Sequence, residues 1–193
     1  YFHSDNELWV NMYVPSTLNW KDQGLSIRQR GDFPFCNRVT FGISVSASVS
    51  GKGQKLNFLV PSWAKSVEVI VNGKTLKRKA MKKAGYVSVK REWADGDKVD
   101  LVFEWDFHLK TMPDDENVLA IFYGPLMLAF DGGGEVVLKG TAEDVLKGLA
   151  SENDDCKSFS LSNAGRKLPL KPMMLIENEE YSVYATINNI YFE

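Results

Sequence analysis

The strongest constraint on the fold is a long segment, residues 38–50, in which apolar and polar residues alternate at nearly every position. Side chains of a β-strand point to opposite faces with a period of two. The pattern therefore predicts a half-buried strand whose core-facing positions are Phe41, Ile43, Val45 and Val49. The opposite face would carry Thr40, Ser44, Ser46 and Ser48.

The same period recurs along most of the chain. It predicts further strands at residues 8–14, 25–30, 56–60, 67–71, 85–90 and 99–105. Asn72-Gly73 is the dipeptide best suited to a two-residue type I′ hairpin. One short helix is predicted after Thr141, which is placed to cap it. These signals together predict an all-β, antiparallel β-sandwich, as one sandwich or two packed subdomains.

The strongest signal for a flexible connection between parts of the chain is Gly132-Gly133-Gly134. It predicts a β-sandwich domain over residues 1–131, followed over residues 132–193 by a continuation of the sandwich or by a small second β subdomain with the helix. The apolar run Val118 to Phe130 reads as one strand, buried on both faces and bent at Gly124-Pro125.

Composition excludes several classes of partner. The chain has 193 residues and is 44% hydrophobic, enough for a sizeable core, and its net charge of −2 comes from interspersed charges. It therefore carries no electrostatic footprint for nucleic acid or an anionic membrane, and no apolar run is long enough to span a bilayer. Because the chain starts at Tyr1 without a leader, we expect an internal cut, a processed end or a disordered beginning; the compartment stays open.

Residues able to carry chemistry are few. The two histidines, His3 and His108, are distant in sequence, and Cys36 and Cys156 lack metal-type spacing, so we expect no zinc site in this chain. The cysteines read as buried free thiols, although a disulfide between them stays open. The acidic clusters, Asp95 with Asp97 and residues 114–116, lie at predicted turns, where carboxylates bond nearby amides without any catalytic role.

The aromatic residues offer the remaining candidates for contact with a partner. Trp9, Tyr13 and Trp63 are the side chains we single out for an interface or for stacking on sugar rings. Core packing is the commoner role for such residues in a β-sandwich. Trp9 and Tyr13 share one face of the predicted first strand, and this strand is where we expect an uncovered apolar patch.

Eight segments, in order along the chain, resemble the carboxy-terminal part of glycoside hydrolase family 127. Leu8-Trp9-Val10-Asn11-Met12-Tyr13-Val14-Pro15-Ser16 is similar to the family's Leu-Tyr-Val-Asn-Leu-Tyr-Ile-Pro-Ser, and Val60-Pro61-Ser62-Trp63-Ala64 to its Ile-Pro-Ser-Trp-Ala. The other six are Asp32–Phe35, Val71–Gly73, Gly85–Val87, Arg91–Asp97, Tyr123–Ala129 and Glu180–Tyr184.

This resemblance implies a role without chemistry of its own. Characterised members of the family include β-L-arabinofuranosidases, whose cysteine nucleophile and zinc-binding Cys and Glu residues lie in an upstream helical (α/α) barrel. The resemblance therefore assigns no catalytic, cofactor-binding or metal-binding role to any residue here, including Cys36 and Cys156. It implies zinc only in the catalytic domain of a parent protein, and it implies that this chain alone is inactive.

Three functions remain open on the sequence alone. The leading hypothesis is a non-catalytic β-sandwich region whose partner is its own catalytic barrel. The alternatives are a carbohydrate-binding module that uses exposed aromatics and a structural module that forms homo-oligomers. A sugar binder should expose several coplanar aromatic rings on one face, whereas a support domain should expose an apolar patch without such a row.

Overall fold

The chain divides into two compact units, Tyr1–Trp105 and Asp106–Glu193. A computed structural model describes residues 1–46, 53–80 and 85–188, with the side chains of residues 77–80 outside the description. Strands dominate both units, as the period-two pattern predicts, and the fold class is all-β. No helix among the described residues is long and apolar enough to cross a membrane.

The first unit is a sandwich of two sheets around one core. Its strands are β1 (Phe2–His3), β2 (Glu7–Val10), β3 (Ser16–Trp20), β4 (Leu25–Arg30), β5 (Arg38–Val45), β6 (Gly53–Val60), β7 (Ser66–Val71), β8 (Lys74–Ala80), β9 (Gly85–Glu92) and β10 (Lys98–Glu104). A short 3₁₀ helix, Lys21–Gln23, joins β3 to β4. The small sheet has the order β1-β2-β6-β9, and the large sheet has the order β3-β4-β5-β10-β7-β8. Within the described part of this unit, every strand pair is antiparallel except β2 with β6.

Strand register explains the core between these sheets. Phe41, Val99 and Val71 form one row across β5, β10 and β7, and they are buried almost completely. Ile43, Val69 and Leu101 are likewise buried, as the sequence predicts, whereas Val45 is only partly buried because it lies at the end of β5. The remaining predicted core residue, Val49, and the rest of the segment 47–50 lie outside the described residues.

Asn72 and Gly73 form the predicted tight hairpin between β7 and β8. Both residues have positive φ angles, 51° and 79°, which a type I′ turn requires. Asparagine and glycine tolerate this region of backbone space better than other residues, so the turn fixes the register of two neighbouring strands.

The second unit is built on one sheet. Its elements are β11 (Phe107–Thr111), β12 (Val118–Tyr123), β13 (Leu126–Asp131), β14 (Val136–Lys139), α1 (Ala142–Gly148), β15 (Leu149–Ser151), β16 (Phe159–Asn163), β17 (Arg166–Pro172), the 3₁₀ helix Met173–Leu175, β18 (Tyr181–Ser182) and β19 (Tyr184–Asn188). The order is β14-β19-β12-β13-β17-β16-β15, with β11 against β12 and β18 against β13. Among the described strands of this unit, β14 and β19 alone pair in parallel. As predicted, Thr141 caps α1, in a capping box with Asp144.

The second unit departs from the sequence expectations in two places. The apolar run 118–130 is a hairpin rather than one bent strand, because Gly124, with φ of 52°, turns the chain so that Tyr123 pairs with Leu126. The predicted division at residues 131/132 falls inside this unit. There β13 bonds to β12 and β17, while β14 joins the same sheet through β19, so a cut at Gly132 would separate hydrogen-bonded strands.

The register of the large sheet leads to a first prediction. Ile43→Ala should lower the free energy of unfolding by about 2–5 kcal/mol, because it leaves a cavity in a core that cannot collapse freely. Urea unfolding of the 193-residue chain measures this change. Leu76→Ala is the matched control, since Leu76 is half-exposed on β8 and should change stability by about 0.5 kcal/mol or less. Equal losses for both variants would contradict the register.

Candidate functional site

Two of the three candidate side chains, Tyr13 and Trp63, meet at one end of the first unit. The loops that follow β2, β4 and β6 meet there, since the ring of Phe33 contacts the rings of Tyr13 and Trp63. They bring together an aromatic cluster whose members are Tyr13, Phe33, Phe41, Phe58, Trp63, Phe103 and Trp105. Three of the segments that carry the family resemblance, 8–16, 32–35 and 60–64, supply residues to it.

Tyr13 is the buried centre of the aromatic cluster. It is only 7% exposed, and its ring lies 5.6 Å from Phe33 and 5.2 Å from Phe103. Its hydroxyl donates a hydrogen bond to the carbonyl oxygen of Leu59 on β6. Burial, and to a smaller extent the neighbouring Tyr86, raises the pKa of the Tyr13 phenol far above its usual range, so the donor stays protonated. Tyr13 is therefore a core residue, contrary to the expectation that it faces a partner.

The reason for this difference is a break in the strand phase. β2 ends at Val10, three residues after it begins, instead of continuing to Val14. Asn11, a residue type disfavoured in strands, lies at the break, and beyond it Tyr13 points inward while Met12 and Val14 are 71% and 54% exposed. Strict alternation groups Met12 and Val14 with Leu8 and Val10 on the face opposite Trp9 and Tyr13, so sequence reasoning did not single them out.

Trp63 and Trp9 occupy different parts of the first unit. Trp63 is half-buried in the aromatic cluster, with its ring 5.5 Å from that of Trp105 and 6.1 Å from that of Phe33. Trp9 lies on the outer face of the small sheet, half-buried, between Phe2 on β1 and Asn57 on β6. The three candidates therefore do not form one row of exposed rings.

The polar residues beside Trp9 bond mainly to one another. Asn57 donates to Glu7 and to the Leu8 carbonyl, and its own oxygen accepts from Ser88 at 2.6 Å. Lys55 pairs with Glu7 at 2.9 Å. Hydrogen bonds from Lys55 and Asn57 lower the pKa of Glu7, so its carboxylate stays ionised at neutral pH.

The acidic cluster at residues 95–97 has a structural role, as its turn position predicts. Asp97 is buried, and its carboxylate accepts from the Ala94 amide at 2.9 Å and from the Asn72 side chain at 2.7 Å. Arg91 lies 3.5 Å away. Burial opposes ionisation of Asp97, but these two hydrogen bonds and the charge of Arg91 outweigh it and hold the pKa below its usual range.

The other chemistry-bearing residues stand apart. His3 packs against Trp20 in the first unit, and His108 stacks on Phe122 in the second. Cys36 and Cys156 are not joined in a disulfide, and neither is buried as expected: Cys36 is exposed in the turn after Asp32, and Cys156 is partly exposed. Within residues 1–46, 53–80 and 85–188, no three His, Cys, Asp or Glu side chains come together in a way that could hold a metal ion.

The buried phenol leads to a second prediction. Tyr13→Phe should lower the free energy of unfolding by about 0.5–1.5 kcal/mol, because it removes a donor to the Leu59 carbonyl and keeps the ring. Tyr86→Phe is the matched control, since its hydroxyl bonds to Asn11 at the surface and should contribute less. Chemical denaturation of both variants makes the comparison, and equal changes near zero would argue against a buried hydrogen bond at Tyr13.

The Asp97 carboxylate leads to a third prediction. Asp97→Asn should lower the free energy of unfolding by about 1–3 kcal/mol at pH 7. Each carboxylate oxygen of Asp97 accepts one hydrogen bond, from Asn72 or from Ala94, whereas an asparagine side chain has only one accepting oxygen. The folded-state pKa is depressed, so the contribution of Asp97 is complete above the unfolded pKa of about 3.9 and is lost as pH falls through the folded value. Unfolding curves between pH 7 and pH 2 should therefore converge for the two proteins. Asp5→Asn, at an exposed position, is the control, and a constant difference across this range would refute the assignment.

The fold and the first unit's geometry define an all-β sandwich module with a built-in aromatic cluster. A family model for the middle domain of GH127 β-L-arabinofuranosidases matches residues 7–105, just over half of the chain, and ends where the first unit ends. The chain belongs to glycoside hydrolase family 127. No curated protein matches it.

Three solved structures share the fold at low sequence identity. The GH127 β-L-arabinofuranosidase Ara127N from Geobacillus stearothermophilus T6 has a TM-score of 0.68 and 18% identity, and the match covers 97% of this chain and 35% of that one. A protein described as a glycoside hydrolase has a TM-score of 0.67 and 19% identity, with 94% and 36% covered. A GH127 β-arabinofuranosidase has a TM-score of 0.66 and 17% identity, with 95% and 35% covered. The chain thus spans about a third of the length of these structures.

Proposed function

We propose that this chain is the non-catalytic β-sandwich region of a family 127-like glycoside hydrolase and that it supports a catalytic barrel domain carried by a longer parent protein. The observation that carries the proposal is the middle-domain match over residues 7–105, which coincides with the first compact unit. The solved relatives are about three times as long as the matched region, which leaves room in such a chain for a separate catalytic domain.

The chemistry of the described residues supports an accessory role. Glycosidases generally need two carboxylates that face one sugar bond across an open site. Here Asp97 is buried in hydrogen bonds to its own turn, and Asp115 accepts from the amide and side chain of Asn117. In this proposal the nucleophile and any zinc belong to the catalytic domain.

The geometry of the aromatic residues favours support of a protein partner over binding of sugar. Stacking on sugar rings needs aromatic faces that are open to solvent. Trp63 has its ring packed against Phe33 and Trp105, Tyr13 is buried, and Trp9 is half-buried beside Phe2. The exposed apolar side chains at this end of the unit are mixed: Tyr1, Phe2 and Tyr86 carry rings, whereas Met12 and Val14 offer no flat ring and interrupt any row for a sugar.

The fourth prediction tests this function directly. The purified 193-residue chain should hydrolyse no aryl β-L-arabinofuranoside, whereas the parent protein should do so. Zinc measured by elemental analysis should accompany the parent and be absent from the chain, because this chain offers no converging set of ligands among its described residues.

The control is the parent with a cysteine-to-serine change at its nucleophile, prepared from the same host. Turnover by the 193-residue chain at a rate above this inactive parent, kept through repeated purification, would refute the accessory role. A parent that contains a further domain but lacks glycosidase activity would refute the assignment to this enzyme class.

A further inference from the structure

Exposed apolar side chains of the first unit are concentrated at one place. Among its described residues six large apolar side chains are exposed, and five of them lie around the end of the small sheet where β2 stops. We call these five the apolar rim: Tyr1, Phe2, Met12, Val14 and Tyr86. The sixth, Leu76, lies on β8 at the edge of the large sheet.

The apolar rim is held together by specific contacts. The Tyr86 hydroxyl donates to Asn11 at 2.9 Å, which places its ring beside the loop that carries Met12. Tyr1 and Ser16 share a hydrogen bond of 2.9 Å, and Ser16 donates to the Val14 carbonyl at 2.8 Å. Phe2, the first residue of β1, pairs with Trp9 on β2. These hydrogen bonds connect Tyr1 and Tyr86 to the loop that carries Met12 and Val14, and Phe2 lies on the strand that begins beside Tyr1.

The composition of the rim resembles that of a protein interface. Interface centres are depleted in charged residues and enriched in Met, Tyr and Phe. No charged residue occurs in the sequence between Glu7 and Lys21, a stretch that includes the whole loop from Asn11 to Pro15. Beneath this loop Tyr13 anchors the backbone to Leu59, so Met12 and Val14 are presented from a fixed support.

We infer that the apolar rim is the surface on which the parent's catalytic domain docks. This inference rests on the proposed function. In the solved relatives about two-thirds of each chain lies outside the part that this chain covers, so a large intramolecular partner exists in those chains. Tyr1 is itself part of the rim and is held beside Val14 through Ser16.

The test compares two charge-introducing variants in the isolated chain and in the parent. The rim variant is Met12→Asp with Val14→Asp, and the control is Leu76→Asp, which also replaces an exposed apolar side chain. In the isolated chain both variants should unfold within a few degrees of the unchanged protein, because no core residue is altered. In the parent, the rim variant alone should make the boundary between the domains about tenfold more sensitive to limited proteolysis.

Hydrogen exchange gives a second readout that needs no variant. Amides of residues 11–14 and 85–87 should exchange about tenfold more slowly in the parent than in the isolated chain, whereas amides around Leu76 should exchange equally in both.

The outcomes separate this inference from the proposed function. If the parent is an active glycosidase and its rim variant resembles Leu76→Asp in both readouts, the inference is overturned and the proposed function stands. If the parent has no catalytic domain, the proposed function fails and the inference falls with it. A dimer of the isolated chain that the rim variant alone abolishes would assign the rim to a second copy. Retention on an arabinan gel that the rim variant alone abolishes would assign it to a sugar; either result overturns the inference.

Discussion

The two sheets of the first unit depend on a buried carboxylate at the turn that leads from one sheet to the other. The turn runs from β9 in the small sheet to β10 in the large sheet, and Asp97 closes it by accepting from Ala94 and Asn72. Through Asn72 the same carboxylate is tied to the hairpin of β7 and β8. The turn also bonds to the end of β5, since the Ile43 amide donates to the Asp97 carbonyl and the Gly96 amide donates to the Ile43 carbonyl. Removing one buried partner leaves the others unsatisfied, so the cost of a change spreads over several strands.

The opposite ends of this sandwich are built for different purposes. At the Asp97 end, the polar groups of the turn form hydrogen bonds within the unit. At the other end the aromatic cluster fills the interior, and Tyr13 ties the loop from Asn11 to Pro15 onto β6, which leaves Met12 and Val14 in solvent. An anchored loop is costly to rearrange, so its exposed apolar side chains are better regarded as a preformed contact surface than as a failure of packing.

Much of the architecture could be predicted from period-two patterning, because shifting a strand by one residue would move its apolar side chains from the core to the solvent. Ile43 is buried as expected, and Asn72 and Gly73 form the expected tight turn. The errors arose at two breaks in strand structure that the hydrophobic pattern does not reveal: β2 ends at Val10, before Asn11, and Gly124 turns an uninterrupted apolar run into a hairpin. An uncovered apolar patch was expected near the first strand; the side chains exposed there are Met12 and Val14 rather than Tyr13, since the alternation breaks after Val10.

Treatment of the exposed sheet edge strengthens the distinction between the apolar rim and ordinary surface. Unpaired edge strands invite association with other chains, and proteins commonly protect them with lysine and arginine. β8 is such an edge, and its sequence from Lys74 to Lys79 carries four basic residues around the single exposed Leu76. The stretch from Leu8 to Trp20 has no such charge, although it supplies two of the five side chains of the rim, Met12 and Val14. In the first unit, basic residues therefore lie along the sheet edge, where association with other chains would be harmful. Charged residues are missing from the loop that we propose is covered by another domain, which is the distribution expected of a surface that is solvent-exposed only in isolation.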